Sequence, residues 1–131
     1  MMFESINRFI QRQKQQNWER LLPESKFVIE VTDSEIINHR PEGVTERVSF
    51  SDLCSVIIET NDTGPLGTDL WWFLSGHEAN SGCVFPGGAT GEQSGVEAVM
   101  KLPGFRFEQF TNAMSSVENA KFYCWQSTPN P

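Results

Sequence analysis

The stretch NDTGPLGTDLWWFLSGHEANSGCVFPGGATGE, residues 61–92, decides the fold class of this chain. Its central run, residues 70–74, is apolar at every position, which predicts a strand at the centre of a sheet or with one face under a helix. Residues 83–85 predict a second, short strand, which Pro86 ends because proline donates no backbone hydrogen bond. The glycine turn that follows leads into a helical pattern, so strands and helices belong to one domain.

Strand patterns also precede this stretch. Four segments alternate apolar and polar residues, as strands with one covered face do. They cover residues 26–31, 35–39, 44–50 and 54–59. Two helices and a last strand at 121–126 follow it, and the short connections predict antiparallel neighbours. The expected fold is α+β: one antiparallel meander sheet of about six or seven twisted strands, two C-terminal helices and an N-terminal helix.

Two glycine-containing segments, residues 61–69 and 76–82, are predicted to be loops. The first contains Asp62 and Asp69, and the second contains His77. Residues 41–100 carry nine acidic side chains and one basic side chain, a net charge of −8, within a chain of net charge −7. This acidity favours a basic protein or a cation as partner and disfavours nucleic acid. The alternative is that the acidic side chains only keep the protein soluble.

The chain divides into an N-terminal helix, residues 1–22, a single domain, residues 23–126, and a frayed tail, residues 127–131. No apolar run approaches the roughly 18 residues of a membrane-spanning helix, and no signal-peptide pattern opens the chain. Three cysteines without a short pairing motif predict buried, reduced thiols and a cytoplasmic location.

The N-terminal helix is predicted to be amphipathic, because Phe3, Ile6, Phe9 and Ile10 recur at helical spacing. It either docks on the domain or, through residues 2–20, pairs with a second copy of the chain or with a partner. Association with a membrane surface is disfavoured by the glutamine-rich stretch and an acidic residue.

Thr90 and Gln93 have the spacing of a capping box at the start of the first C-terminal helix. The glycine turn before Thr90 also suggests phosphate binding at the helix N-terminus. The segment lacks the lysine of a P-loop, and Glu92 would oppose an anion. A capped helix start without a ligand is therefore expected.

The sequence contains no recognisable catalytic or metal-binding spacing. His39 and His77 are the only histidines, and neither has a Cys, a Ser or the other His at triad or ligand spacing. Asp62 and Asp69 could hold a hard cation, but EF-hand spacing is absent and a solvated loop is the simpler interpretation. No metal and no cofactor are predicted.

The adjacent tryptophans Trp71 and Trp72 point to opposite faces of one strand. One belongs to the main core, and the other is covered by a helix or exposed, as aromatic residues at interfaces are. The predicted function is a protein-binding module, not an enzyme, with a basic protein as partner. The predicted contact residues are Asp62, Asp69, Trp71, His77 and Phe85. The alternative is a small ligand-binding protein or enzyme with a pocket between the sheet and the helices that uses Asp69, His77 or Cys83.

The segments IIETNDTGPLGTDLWWFL, GCVFPGGATGE and NAKFYCW together resemble a group of small uncharacterised bacterial proteins. The resemblance spans roughly residues 31–125 and leaves the N-terminal helix outside. It implies an immunity-type or adaptor-type role exercised by binding, and it carries over no catalytic residue. The strands are also similar to a pleckstrin-homology-type barrel, from which this chain departs by placing a strand after its helices.

Overall fold

A computed structural model describes residues 23–64 and 67–127 of the chain. Within them a 3-10 turn (Pro23–Lys26) precedes seven strands and two helices. The strands are β1 (Val28–Val31), β2 (Glu35–His39), β3 (Thr45–Ser49), β4 (Leu53–Gly64), β5 (Gly67–Gly76), β6 (Gly82–Pro86) and β7 (Ala120–Gln126). The helices are α1 (Glu92–Met100) and α2 (Phe107–Met114).

The α+β class is confirmed. The predicted N-terminal helix lies outside the described residues, as do residues 128–131 of the predicted tail. Among the helices that are described, none has the length and apolar character required to cross a membrane.

The strands form two antiparallel sheets, so the prediction of a single meander is wrong. The three-stranded sheet has the order β1-β2-β3, and the four-stranded sheet has the order β6-β5-β4-β7. A tight corner after β3, where the N–H of Asp52 donates to the carbonyl of Ser49, takes the chain from one sheet to the other. The last strand, β7, follows both helices and pairs with β4. A prediction from short connections cannot place such a strand.

β4 and β5 form a long hairpin, so the predicted loop over residues 61–69 is also wrong. Asn61 pairs with Asp69, and the pairing continues to Gly64 and Gly67. The register shifts between Asn61 and Gly64. Glycine and acidic residues disfavour strands individually, but the ladder of the hairpin overrides that preference.

The core lies between the two sheets and beneath the helices. Eight side chains of β4, β5 and β6 are at most 2% exposed: Leu53, Val56, Ile58, Thr60, Trp72, Leu74, Cys83 and Phe85. The ring of Trp72 stacks on Phe85, with centroids 6.3 Å apart, and lies tilted against Phe110 of α2. Its Nε1–H donates to Glu92 Oε2 at 2.9 Å, which satisfies the only polar atom of a buried indole.

The start of α1 differs from the predicted capping box. Gly91 occupies the N-cap position with a φ of 82°, and a Cβ there would collide with the carbonyl oxygen of Ile29. The hydroxyl of Thr90 donates to the carbonyl of Ser25 at 2.6 Å and makes no capping bond to the helix. The prediction is wrong because Thr90 ties the helix start to the turn before β1.

Candidate binding surface

Residues of β5 alternate between the core and the opposite face of the four-stranded sheet. Trp72 and Leu74 point inward and are 1% and 2% exposed, whereas Trp71 and Phe73 point outward and are half-buried. The two tryptophans therefore lie on opposite faces, as the sequence predicts.

An apolar row crosses all four strands on the outward side. Phe73 of β5 pairs with Val84 of β6 and with Ile57 of β4, and Ile57 pairs with Tyr123 of β7. Directly opposed residues have Cβ atoms about 5 Å apart, so these four side chains are successive neighbours. Tyr123 is 45% exposed, and the other three are half-buried. None of the four belongs to the core cluster or to the side chains packed against it.

Charged and aromatic residues border this apolar row. Glu59 of β4 lies opposite both Trp71 and Lys121, and its Oε2 atom is 3.6 Å from Lys121 Nζ. Asp69 precedes Trp71 by two residues on β5, so it points to the same side of the sheet. We use the name outer face for the apolar row together with Glu59, Asp69 and Trp71.

The outer face unites two of the predicted contact residues, Asp69 and Trp71. Phe85 is 1% exposed and stacked on Trp72, so its ring belongs to the core and offers no surface to a partner. Sequence reasoning missed Phe73 and Tyr123. The alternation of residues along β5 and β7 indicated that these two side chains point outward. Only the strand register shows that they lie in one row.

Asp62 follows Asn61, the strand partner of Asp69, whereas His77 lies at the opposite end of β5. Asp62 is exposed, and its N–H donates to Asn119 Oδ1 at 2.9 Å. His77 is exposed beyond the other end of β5. Eight residues separate Asp69 from His77, which corresponds to about 25 Å of extended chain. The predicted contact residues therefore do not form one cluster.

A Ser, an Asp and a His do meet near His77. The hydroxyl of Ser81 donates to Asp52 Oδ2 at 2.6 Å, and the N–H of His77 donates to the carbonyl of Asp52. The Ser81 bond holds the pKa of Asp52 below its usual value. Ser81 binds the carboxylate directly and His77 contributes its backbone N–H, so these contacts close a turn and do not place the His77 ring between the hydroxyl and the carboxylate.

The third residue of the alternative pocket, Cys83, is fully buried. Burial, reinforced by the charge of Glu46, raises the pKa of its thiol to about 12. Such a thiol stays protonated at neutral pH and is a weak nucleophile. Among residues 23–64 and 67–127, no three His, Cys, Asp or Glu side chains are grouped so as to hold a metal ion.

A polar cluster of Asn38, Arg40 and Glu46, the seam cluster, joins the two sheets at the free edge of β6. The N–H of Val84 donates to Glu46 Oε1 at 2.9 Å. The Val84 carbonyl accepts from Asn38 Nδ2 at 3.0 Å and from Arg40 Nη1 at 3.2 Å. These side chains thus form hydrogen bonds with backbone groups of the edge strand β6, which would otherwise be free to pair with another chain.

The seam cluster is held together by its own hydrogen bonds. Asn38 Nδ2 donates to Glu46 Oε1 at 2.8 Å, and Arg40 Nη1 donates to Glu46 Oε2 at 3.4 Å. Asn38 is 0% exposed, although its Oδ1 atom has no hydrogen-bond partner in the described part of the chain. The only signal in the sequence was an asparagine within the apolar strand β2. These contacts give the seam cluster a structural role. The outer face therefore remains the candidate binding surface.

Comparison of the chain with models of protein families, with curated proteins and with solved structures gave no match. The function must therefore be argued from the geometry and chemistry of the surface.

Proposed function

We propose that this protein is a non-catalytic protein-binding module whose binding surface is the outer face. The observation that carries the proposal is the apolar row across four paired strands. The described helices pack elsewhere: Gly95 of α1 faces Phe85, and Phe110 of α2 lies against Trp72. An apolar surface of this kind, bordered by polar residues, is typical of a protein interaction site.

The chemistry of the outer face favours a partner with an apolar patch and basic residues. Half-buried aromatic side chains, Trp71 and Phe73, supply large contact area with few rotatable bonds. Asp69 adds a negative charge at the border of the row, within a region of the chain whose net charge is −8. Complementary charge would speed association and exclude acidic competitors. Such a role is of the adaptor or immunity type, because the protein would act by occupying its partner.

The test compares capture of a partner from a cell lysate by four versions of the protein: wild type, Phe73→Thr, Asp69→Lys and the control Phe107→Thr. Phe107 is an aromatic residue of α2 that is 55% exposed and packs edge-on against Phe105 of the core. Wild type and Phe107→Thr should capture the same basic protein, and Phe73→Thr should lose it. Asp69→Lys should weaken capture several-fold in low salt and less in high salt, because salt screens surface charges.

Equal capture by wild type and Phe73→Thr would exclude the outer face as the interface. A loss that is the same for Phe73→Thr and Phe107→Thr would also contradict the proposal, because it would reflect general loss of apolar surface.

A further inference from the structure

We propose that the partner binds the outer face as an amphipathic α-helix that lies across the strands, along the apolar row. The inference rests on the proposed function, because it names the shape and the chemistry of the segment that occupies the same surface. The pattern of side chains on the face, its dimensions and its charge support this mode of binding.

The apolar residues of the outer face run across the strands and not along them. In order along each central strand, the outward positions are Ser75, Phe73, Trp71 and Asp69 on β5, and Ser55, Ile57, Glu59 and Asn61 on β4. Each strand therefore offers one or two apolar residues between polar ones, whereas the row offers four in succession. A second sheet aligned with the first would place most of its apolar residues against polar ones.

The row has the length and the spacing of a short helix. Neighbouring strands lie about 4.8 Å apart, so four strands give a row of roughly 14 Å. An α-helix rises about 5.4 Å per turn and brings residues i, i+3, i+4 and i+7 to one side. Its turns therefore come at nearly the spacing of the strands, and about ten residues cover the row from Val84 to Tyr123.

The flank of the row away from Trp71 gives a helix room to approach. Ser75 pairs with Gly82 of β6 and with Ser55 of β4, so three small residues lie side by side next to the apolar row. Outward neighbours along a strand are about 6.7 Å apart, and a helix with its side chains is about 10 Å wide. The helix therefore overlaps this flank as well as the row, and the small side chains let its backbone come close to Phe73.

The other flank carries the charge. Glu59 pairs with both Trp71 and Lys121, and its side chain is 38% exposed, with Oε2 3.6 Å from Lys121 Nζ. Asp69 adds a second carboxylate on this flank, whereas the three small residues opposite are uncharged. Basic residues on one side of the partner helix would therefore face Glu59 and Asp69. Because turning a helix end for end exchanges its two flanks, this charge also fixes the direction in which the helix crosses the row.

The experiment measures binding of two synthetic peptides to the full chain by calorimetric titration. Both contain the same numbers of leucine, lysine, glutamine and alanine residues. In the helical peptide the leucines recur at i, i+3, i+4 and i+7 and the lysines lie on one flank, whereas in the control peptide apolar and polar residues alternate, as in a strand. The helical peptide should bind at least several-fold more tightly. Phe73→Thr should abolish this preference, and Phe107→Thr should leave it unchanged.

Amide NMR of the complex locates the helix and its direction. The largest shifts should occur at Ile57, Phe73, Val84 and Tyr123, one residue from each strand. A nitroxide at the peptide N-terminus should broaden the signals at one end of the row, either Val84 or Tyr123. A peptide with its lysines moved to the opposite flank should broaden the signals at the other end.

Four outcomes would overturn the inference. The control peptide could bind as tightly as the helical one, or neither peptide could bind. Both lysine patterns could broaden the same end of the row, in which case the acidic flank does not orient a helix. A molar mass of two chains in light scattering, reduced to that of one chain by Phe73→Thr, would assign the face to a second copy.

The peptides also separate this inference from the proposed function. Capture of a basic protein from lysate that is lost in Phe73→Thr, together with no preference for the helical peptide, would keep the outer face as the interface and remove the helix. Peptide binding and capture that both persist undiminished in Phe73→Thr would remove both proposals.

Discussion

The two faces of β5 place adjacent tryptophans in opposite environments. Trp72 is 1% exposed, stacked on Phe85 and hydrogen-bonded to Glu92. Trp71 is half-buried, meets the edge of the Phe27 ring and packs against the border of the core. The two residues have the same type and lie on the same strand, so the direction of the side chain accounts for the difference. The two faces of β5 therefore differ in what covers them, and not in how apolar they are.

The largest expected effect is the difference between the two tryptophans. Trp72→Ala should lower the free energy of unfolding by about 3–5 kcal/mol, because it empties a large volume in the core. Trp71→Ala should lower it by less than about 2 kcal/mol, because water can fill part of the space. Urea denaturation of both variants measures the difference. Equal losses would mean that Trp71 is as fully covered as Trp72.

The seam cluster provides the second test, because it keeps the inner face closed at β6. Glu46→Ala should cost about 2–3 kcal/mol in the free energy of unfolding, since the N–H of Val84 and the amide of Asn38 lose an acceptor. Glu42→Ala is the control. Glu42 also contacts Arg40, with Oε2 3.0 Å from Nε, but it is exposed, so its loss should lower the free energy of unfolding far less than the loss of Glu46.

Urea denaturation again gives both values. If the two glutamates proved equivalent, the seam would be an ordinary surface ion pair, and the two sheets would be held together by the apolar core alone.

The pH dependence of stability tests whether water reaches the cysteines of the inner face. Burial raises the pKa of Cys83 to about 12 and that of Cys124 to about 11, from a usual value of 9.0. Because the folded state holds these protons more tightly, the stabilisation is complete below pH 9 and is lost as the pH rises toward 12. The free energy of unfolding should fall across that interval, and the fall should be shallower in Cys83→Ala. The same slope in both proteins would show that Cys83 is reached by water.

Sequence reasoning succeeded where a pattern is local. Alternation along β5 placed Trp71 and Trp72 on opposite faces, and uniform apolarity identified residues 70–74 as a central strand. These inferences depend only on the period of a strand, which is fixed by backbone geometry.

It failed where partners come from distant parts of the chain. The hydroxyl of Thr90 makes a tertiary hydrogen bond to Ser25, and β4 pairs with β7, which comes after both helices in the chain. The spacing of residues along the sequence predicts neither contact. The prediction of the outer face was correct for Asp69 and Trp71 but wrong for Phe85. Phe85 is an aromatic residue of a strand, as Trp71 is, but its side chain points into the core. Deciding between them needed the strand register.

The smallest expected effect concerns Phe73, the outer-face neighbour of Trp72. Phe73→Thr should lower the free energy of unfolding by about 1 kcal/mol or less, because threonine suits a strand and the lost contact lies outside the core. Urea denaturation measures this value with Leu74→Thr as the inner-face control, whose loss should be several times larger because Leu74 is 2% exposed. A loss as large as that of Leu74→Thr would contradict the contrast between the faces.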